Sequence, residues 1–344
     1  RELSLLQSAL ASVADGGAGR VLALTGSAGM GKTRVLEELT RRVPSDVHIY
    51  RGMCDSYGSV VPLQPMLGIL RQMLDLGEAS GERAHDLIQR RCLELGSKLS
   101  EHAELLAGVL DLESGSDRAV QPALERRLID ALCALVPSLH ARLVVLAIDD
   151  FQWADDLTHR VLSGLLREHI SGLMVILAKR ELGIDDGVLS ASHHIELTPL
   201  SQGDCARVIR SLAPGALDLG LADSMCQRTG GNPLFLEELC RSLPASRSTE
   251  LYTGEERSVP TTVHGVIQAR LLRLPASELR CLRVAAVIGN EFSKPLLAEV
   301  AADGDIETVL EQLCAANIVR QVDTEGTYRF NHGITREVVY ESVR

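Results

Sequence analysis

Residues 26–33 read Gly26-Ser27-Ala28-Gly29-Met30-Gly31-Lys32-Thr33. This is the spacing G-x-x-x-x-G-K-[ST], a loop whose chemistry is the cradling of phosphate. Glycines let the backbone curl until successive N–H groups point at one anion. The ammonium of Lys32 would reach the β- and γ-phosphates of a nucleotide, and the Thr33 hydroxyl would ligate Mg²⁺. Arg34, next in the chain, belongs to the same expected nucleotide-contacting set. A second candidate site lies far along the chain, where Leu143-Val144-Val145-Leu146-Ala147-Ile148 runs into Asp149-Asp150. The first carboxylate is expected to hold hydrated Mg²⁺ and the second to polarise an attacking water.

Such groups work only if the chain between them brings them together. Val21–Thr25, directly before the glycine loop, is apolar throughout its first four positions and reads as a buried strand. Thr33–Leu39, directly after it, has helical spacing, so the loop would sit at a helix N-terminus, where the helix dipole favours an anion. Further strands are expected at 47–50, 143–148, 173–178 and 195–197, with about 75 residues of helix after Pro65. Short apolar strands alternating with helices imply an α/β fold: a parallel sheet of P-loop NTPase type with helices on both faces. At a sheet's carboxyl edge, an acid ending one strand can meet a loop ending another.

After Pro199 the pattern becomes helical, broken hard by Thr229-Gly230-Gly231-Asn232-Pro233. Residues 244–258 are polar and read as a linker. Two short alternating segments then follow helices, Ile318–Val322 and Tyr328–Phe330, separated by Asp323-Thr324-Glu325-Gly326. Helices followed by a hairpin have the outline of a winged helix. The expected division is a nucleotide-binding domain at 1–198, a small helical domain with linker at 199–258, and a winged-helix domain at 259–344.

Composition narrows the function classes. The chain has 344 residues, 45% apolar and 24% charged, the balance of a soluble globular protein. Aromatics are only 3%, so its cores must be aliphatic. A net charge of −11 argues against a broad nucleic-acid footprint. The eight cysteines form no C-x-x-C and are expected to be buried free thiols in a reducing cytoplasm. No H-E-x-x-H suggests zinc among the ten histidines. No apolar run approaches the ~18 residues of a membrane span, and no signal peptide is visible. The chain begins at Arg1 rather than Met, which reads as a fragment of a longer protein.

Asp149-Asp150-Phe151-Gln152-Trp153-Ala154-Asp155 resembles the D-D-x-x-W-A-D signature of the signal-transducing ATPases with numerous domains. More narrowly, the chain resembles the ATPase module of large ATP-binding LuxR-type transcription regulators and relatives such as the maltose-operon activator. Gly231-Asn232-Pro233-Leu234-Phe235-Leu236-Glu237-Glu238-Leu239 is similar to that family's G-N-P-L-F-L-E-E-L block. Arg1-Glu2, Leu197–Ser201, Ala285–Phe292 and Phe330-Asn331-His332 with Arg336 and Tyr340 resemble its other blocks, in the expected order.

The resemblance implies a sensor strand inserted between the strands that carry the P-loop and the paired acids. It also implies three contacts: Arg180 reading the γ-phosphate, Pro233 packing on adenine, and His332 touching the β-phosphate of ADP. Residue types leave each of these open to a plainer role, as a surface arginine, a helix-first proline and a core histidine. The function implied is an ATP/ADP switch with slow hydrolysis, self-associating in the ATP state and cytoplasmic. Alternatives are a mechanical ATPase acting on DNA or protein, and a small-molecule kinase. Residues 259–344 hold nine Lys/Arg against eleven Asp/Glu, so direct DNA contact is not expected from this part.

Overall fold

The computed structural model describes residues 1–16, 21–55, 61–77, 79–111, 122–180, 193–212, 219–242, 262–301, 306–323 and 326–343. Contacts divide the chain into two compact units, Arg1–Ser27 with Lys32–Leu197 and Ala28–Gly31 with Thr198–Arg344. The expected linker at 244–258 lies outside the described residues.

The first unit is built on a five-stranded sheet of order β2-β3-β4-β1-β5. Its strands are β1 (Val21–Thr25), β2 (Val47–Met53), β3 (Leu143–Asp149), β4 (Leu173–Lys179) and β5 (His193–Glu196). Every pairing in it is parallel. All of β1 and β3 is buried, so both alternating side-chain sets are covered and helices pack on both faces. The strand order puts β4 between β3 and β1, so the strand expected between the P-loop strand and the acid-bearing strand is there.

The helices of this unit are α1 (Glu2–Ala14), α2 (Lys32–Arg42), α3 (Gln64–Met73), α4 (Gly81–Leu95), α5 (Ser97–Ser100), α6 (Ala103–Leu110), α7 (Pro122–Ser138) and α8 (Asp156–Arg167). The expected helical stretch after Pro65 is thus several short helices. Gly96, at φ 140, breaks it between α4 and α5. Helices α3, α6, α7 and α8 contribute Leu70, Leu106, Leu132 and Leu162 to one aliphatic core with Val144, Leu146 and Ile148 of β3. Strand β5 begins earlier than expected because it is an edge strand with only Ile195 buried. His193 and His194 can therefore sit in it without an apolar pattern.

The second unit contains α9 (Gln202–Leu212), α10 (Leu219–Thr229), α11 (Pro233–Ser242), α12 (Val263–Leu271), α13 (Ala276–Ile288), α14 (Lys294–Ala301), α15 (Ile306–Ala315) and α16 (Gly333–Glu341). The expected hairpin forms between β7 (Val319–Gln321) and β8 (Thr327–Phe330), antiparallel. A third strand, β6 (Glu291–Ser293), pairs antiparallel on the other side of β8. Three residues are too few for period-two patterning to register. Phe292 of β6 stacks on Tyr328 and meets Phe330 edge-on, in a core shared with Leu282, Leu310 and Val339.

One cysteine expectation is corrected. Cys205 of α9 and Cys226 of α10 are joined as a disulfide, with Cα atoms 5.8 Å apart. Twenty-one residues separate them, so no short motif announces the pair; adjacent helices bring them together. The other six cysteines are free. Burial pushes Cys92, Cys240 and Cys281 up to about 11, which keeps them as unreactive thiols.

Candidate nucleotide site

The glycine loop ends β1 and opens α2, the strand–loop–helix context that the motif requires. Gly29 and Gly31 have φ of 80° and 91°, the left-handed region that side chains avoid. In the second unit, Asn232 Nδ2 donates to the Ala28 carbonyl at 2.9 Å. A Cβ on Gly29 would meet Asn232 Oδ1 at 2.8 Å. Gly29 is thus needed both for its backbone angle and for the approach of Asn232.

Lys32 is buried, and its Nζ donates to the carbonyls of Gly26 at 2.7 Å and Ser27 at 3.2 Å. Thr33, on the first turn of α2, donates its hydroxyl to Asp149 Oδ2 at 2.5 Å. Asp149 ends β3 and is 2% exposed. Burial and then the neighbouring Asp150 charge push its carboxyl above the usual range, while the Thr33 bond opposes them. Burial pushes the Lys32 ammonium down; Asp150 and Asp149 oppose that shift and Arg180 adds to it. Two acids and two cations, from the ends of β3 and β4 and the start of α2, therefore share one electrostatic neighbourhood.

Asp150 follows β3 with φ 51°, left-handed for a residue with a Cβ, a conformation that accumulates at functional sites. The chain then makes a single 3-10 turn, Phe151–Trp153. Gln152 Nε2 donates to Asp150 Oδ1 at 2.8 Å, and Gln152 Oε1 accepts from the backbone N–H of Arg180 at 3.1 Å. Arg180 is the first residue after β4. Asp155 caps α8: Oδ1 accepts from Thr158 N at 2.9 Å, and Oδ2 accepts from Thr158 Oγ1 at 2.6 Å and Leu63 N at 3.1 Å.

Of the expected site residues, Lys32, Thr33, Asp149, Asp150 and Arg180 all belong to the first unit, gathered around the ends of β3 and β4 and the start of α2. Met30 is buried and Arg34 is exposed. Pro233 is the first residue of α11, whose N-terminus Asn232 caps through Oδ1, accepting from Leu234 N at 3.1 Å and Phe235 N at 3.2 Å. His332 precedes α16, and among the described residues its buried Nε2 has no hydrogen-bond partner. Sequence reasoning missed Gln152, Asp155 and Asn232. All three stand inside motifs it quoted, but spacing does not reveal a side-chain-to-backbone bond.

Such a sheet, loop and acid pair define an AAA-type ATPase domain. The chain belongs to that family: the AAA ATPase domain matches residues 1–177. An uncharacterized protein of Rhizobium meliloti (strain 1021) is 26% identical to it over 352 residues, covering 95% of this chain and 33% of that protein. Among solved structures, a signal transduction ATPase with numerous domains that carries a tetratricopeptide repeat sensor, from Pyrococcus horikoshii, matches with a TM-score of 0.55 at 15% identity. That match covers 98% of this chain and 42% of the other. The ORC1 protein of Aeropyrum pernix, solved in complex with DNA, gives a TM-score of 0.43 at 14% identity, covering 99% and 92%. The chain thus spans a third of the length of its curated relative and less than half of the solved signalling ATPase. No described helix is long and apolar enough to cross a membrane.

Proposed function

We propose that this ATPase domain is a nucleotide-operated switch: it binds Mg²⁺-ATP, hydrolyses it slowly, and holds ADP in its resting state. One observation carries the reading. The Thr33 hydroxyl and the buried Asp149 carboxylate meet at 2.5 Å, while Lys32, Asp150 and Arg180 act on the same electrostatic neighbourhood. Two hard oxygen donors, one of them a carboxylate whose charge burial disfavours, suit a small divalent cation. Thr33 and Asp149 would hold Mg²⁺, which would neutralise phosphate charge. Residues Gly26–Thr33 with Arg34 would hold the phosphates, Asp150 would take the proton of the attacking water, and Arg180 would read the γ-phosphate.

In this reading, residues 259–344 are a winged helix that acts as an intramolecular clamp, with Pro233 on the adenine and His332 on the ADP β-phosphate. A ligand shifts such an equilibrium only through its differential affinity for two states, and a contact made to ADP alone supplies that difference. In the same reading the chain is part of a larger regulator of LuxR type, cytoplasmic and self-associating with ATP, as the likeness of residues 149–155 and 231–239 to that family's blocks implies. The acidic surplus of 259–344, with Glu307 and Glu311 on α15, supports the absence of direct DNA contact.

The test is to identify the nucleotide retained on purification and compare single with multiple turnover, with and without Mg²⁺. Retained ADP and turnover limited by its release are expected. An empty site that cycles fast would favour a mechanical ATPase, and tight salt-sensitive binding of duplex DNA would refute the clamp. Asp150→Asn should preserve ATP binding and slow hydrolysis by roughly 10²–10⁴-fold, the usual contribution of a positioned base.

A further inference from the structure

Gln152 uses both ends of its side chain, and on two different elements. Its Nε2 donates to Asp150 Oδ1 at 2.8 Å, in the turn that ends β3. Its Oε1 accepts the Arg180 N–H at 3.1 Å, at the end of β4. The two partners dictate the amide's orientation: a carboxylate only accepts and a backbone N–H only donates. Flipping the amide would set oxygen against oxygen and N–H against N–H, so the side chain has one arrangement that satisfies both ends.

We propose that Gln152 is a positioning residue for ATP hydrolysis, fixing the Asp150 carboxylate and tying it to the strand end from which Arg180 emerges. The inference rests on the reading of Asp150 as the base. With Oδ1 held, the torsion of the carboxylate is set and Oδ2 is presented in one direction. Asp150 is short, and the left-handed backbone at φ 51° already constrains it, so a single hydrogen bond to the side chain removes most of its remaining freedom. The second bond carries information: a displacement of the backbone at Arg180, such as its side chain engaging a phosphate would cause, is passed to the carboxylate through one rigid amide.

The experiment uses the whole chain and two variants, Gln152→Met and Gln152→Glu, each made with and without Asp150→Asn. Methionine fills similar space and makes neither bond. Glutamate keeps an acceptor for the Arg180 N–H, loses the donor and places a second negative charge beside Asp150. Single-turnover hydrolysis is read with saturating ATP, and ATP affinity by calorimetry. Gln152→Met should slow the single-turnover step by about 10–100-fold, the usual effect of a supporting shell, while the dissociation constant stays within about threefold. Gln152→Glu should slow it at least as much. In the presence of Asp150→Asn, either change should add less than about twofold, because a residue that acts through Asp150 has nothing left to position.

Turnover within about twofold of wild type in both variants would overturn the proposal, as would a penalty that adds in full to that of Asp150→Asn. A merely structural role would lower affinity and thermal stability together and would not depend on Asp150. If Asp150→Asn alone leaves hydrolysis unchanged, the base assignment fails and takes this inference with it. That failure is read from the single variant and cannot be confused with the other. Should Gln152→Met fail to fold, the isosteric Gln152→Glu carries the test.

Discussion

The Thr33 hydroxyl donates to the Asp149 carboxylate at 2.5 Å, joining the first turn of α2 to the last residue of β3 across 116 positions of sequence. Neither residue is explained by packing alone. Asp149 is 2% exposed at the end of a strand that otherwise carries only aliphatic side chains, and a buried carboxylate is retained at a cost. Function and stability should therefore oppose each other here. Burial raises the Asp149 pKa, so the unfolded chain releases this proton more readily than the folded one. Stability contributed by the protonated form is lost as pH rises through the window that starts at the ordinary aspartate value. Asp149→Asn removes the charge; its amide oxygen can still accept the Asp150 N–H, and the Thr33 hydroxyl, which can also accept, can pair with the amide NH2. In the absence of Mg²⁺ and nucleotide it should raise the apparent melting temperature at neutral pH, while weakening Mg²⁺-ATP binding by at least about tenfold. Melting with and without ligand reads both effects, and an Asn variant that is less stable without ligand contradicts the burial argument.

Lys32→Ala should remove most nucleotide affinity. A charge-assisted hydrogen bond contributes about 1.5–3 kcal/mol, or roughly 10–150-fold in binding. Burial pushes the Lys32 ammonium down while Asp149 and Asp150 hold it up, so its charge depends on both acids. Calorimetric titration of ATP checks this, and an affinity equal to wild type would remove the premise of the phosphate cradle.

How much of this was legible in the sequence differs by element. Strands β1, β3 and β4 were readable because burial on both faces makes each a continuous aliphatic run, as in Leu143–Ile148. Strands β5 and β6 were harder: with one buried residue each, Ile195 and Phe292, they leave no periodic trace. Lys32, Thr33, Asp149 and Asp150 could be picked out because phosphate and magnesium chemistry demands those types at those spacings. Gln152 and Asp155 stood in the quoted D-D-x-x-W-A-D run, yet their work is done through bonds to Arg180, Thr158 and Leu63. Those partners come from other elements or from a helix end, and only the folded chain brings them within reach. The Cys205–Cys226 pair was invisible for the same reason.

His332 should make stability depend on pH. Burial lowers its pKa below the ordinary histidine value; Glu237 and Glu238 oppose the shift, and Arg241 and Arg270 add to it. The folded chain thus holds a neutral imidazole that the unfolded chain protonates first. Its stabilising effect is present above the ordinary histidine pKa of about 6.5 and is lost as pH falls towards the folded value. His332→Asn keeps a side chain suited to the N-terminus of α16 and should flatten the slope of melting temperature as pH falls below about 6.5. An unchanged slope would show that other groups dominate in that window.

Glu238 and Arg270 make the strongest case for a structural ion pair. Both Glu238 oxygens lie 2.7 Å from Arg270 Nη1, joining α11 to α12, and Arg270 also donates through Nη2 to the Ala316 carbonyl. Glu238 is 1% exposed and Arg270 21%, so removing the arginine strands a buried carboxylate without its counter-charge. Arg270→Met should destabilise the chain by about 3 kcal/mol, the usual cost of an uncompensated buried charge. Adding Glu238→Leu removes that charge and should recover at least half of the loss, because well-packed apolar replacements of a buried pair are often close to neutral. The readout is denaturant unfolding followed by circular dichroism. If the double variant is no more stable than Arg270→Met alone, the penalty comes from lost packing and from the Ala316 carbonyl rather than from the stranded carboxylate.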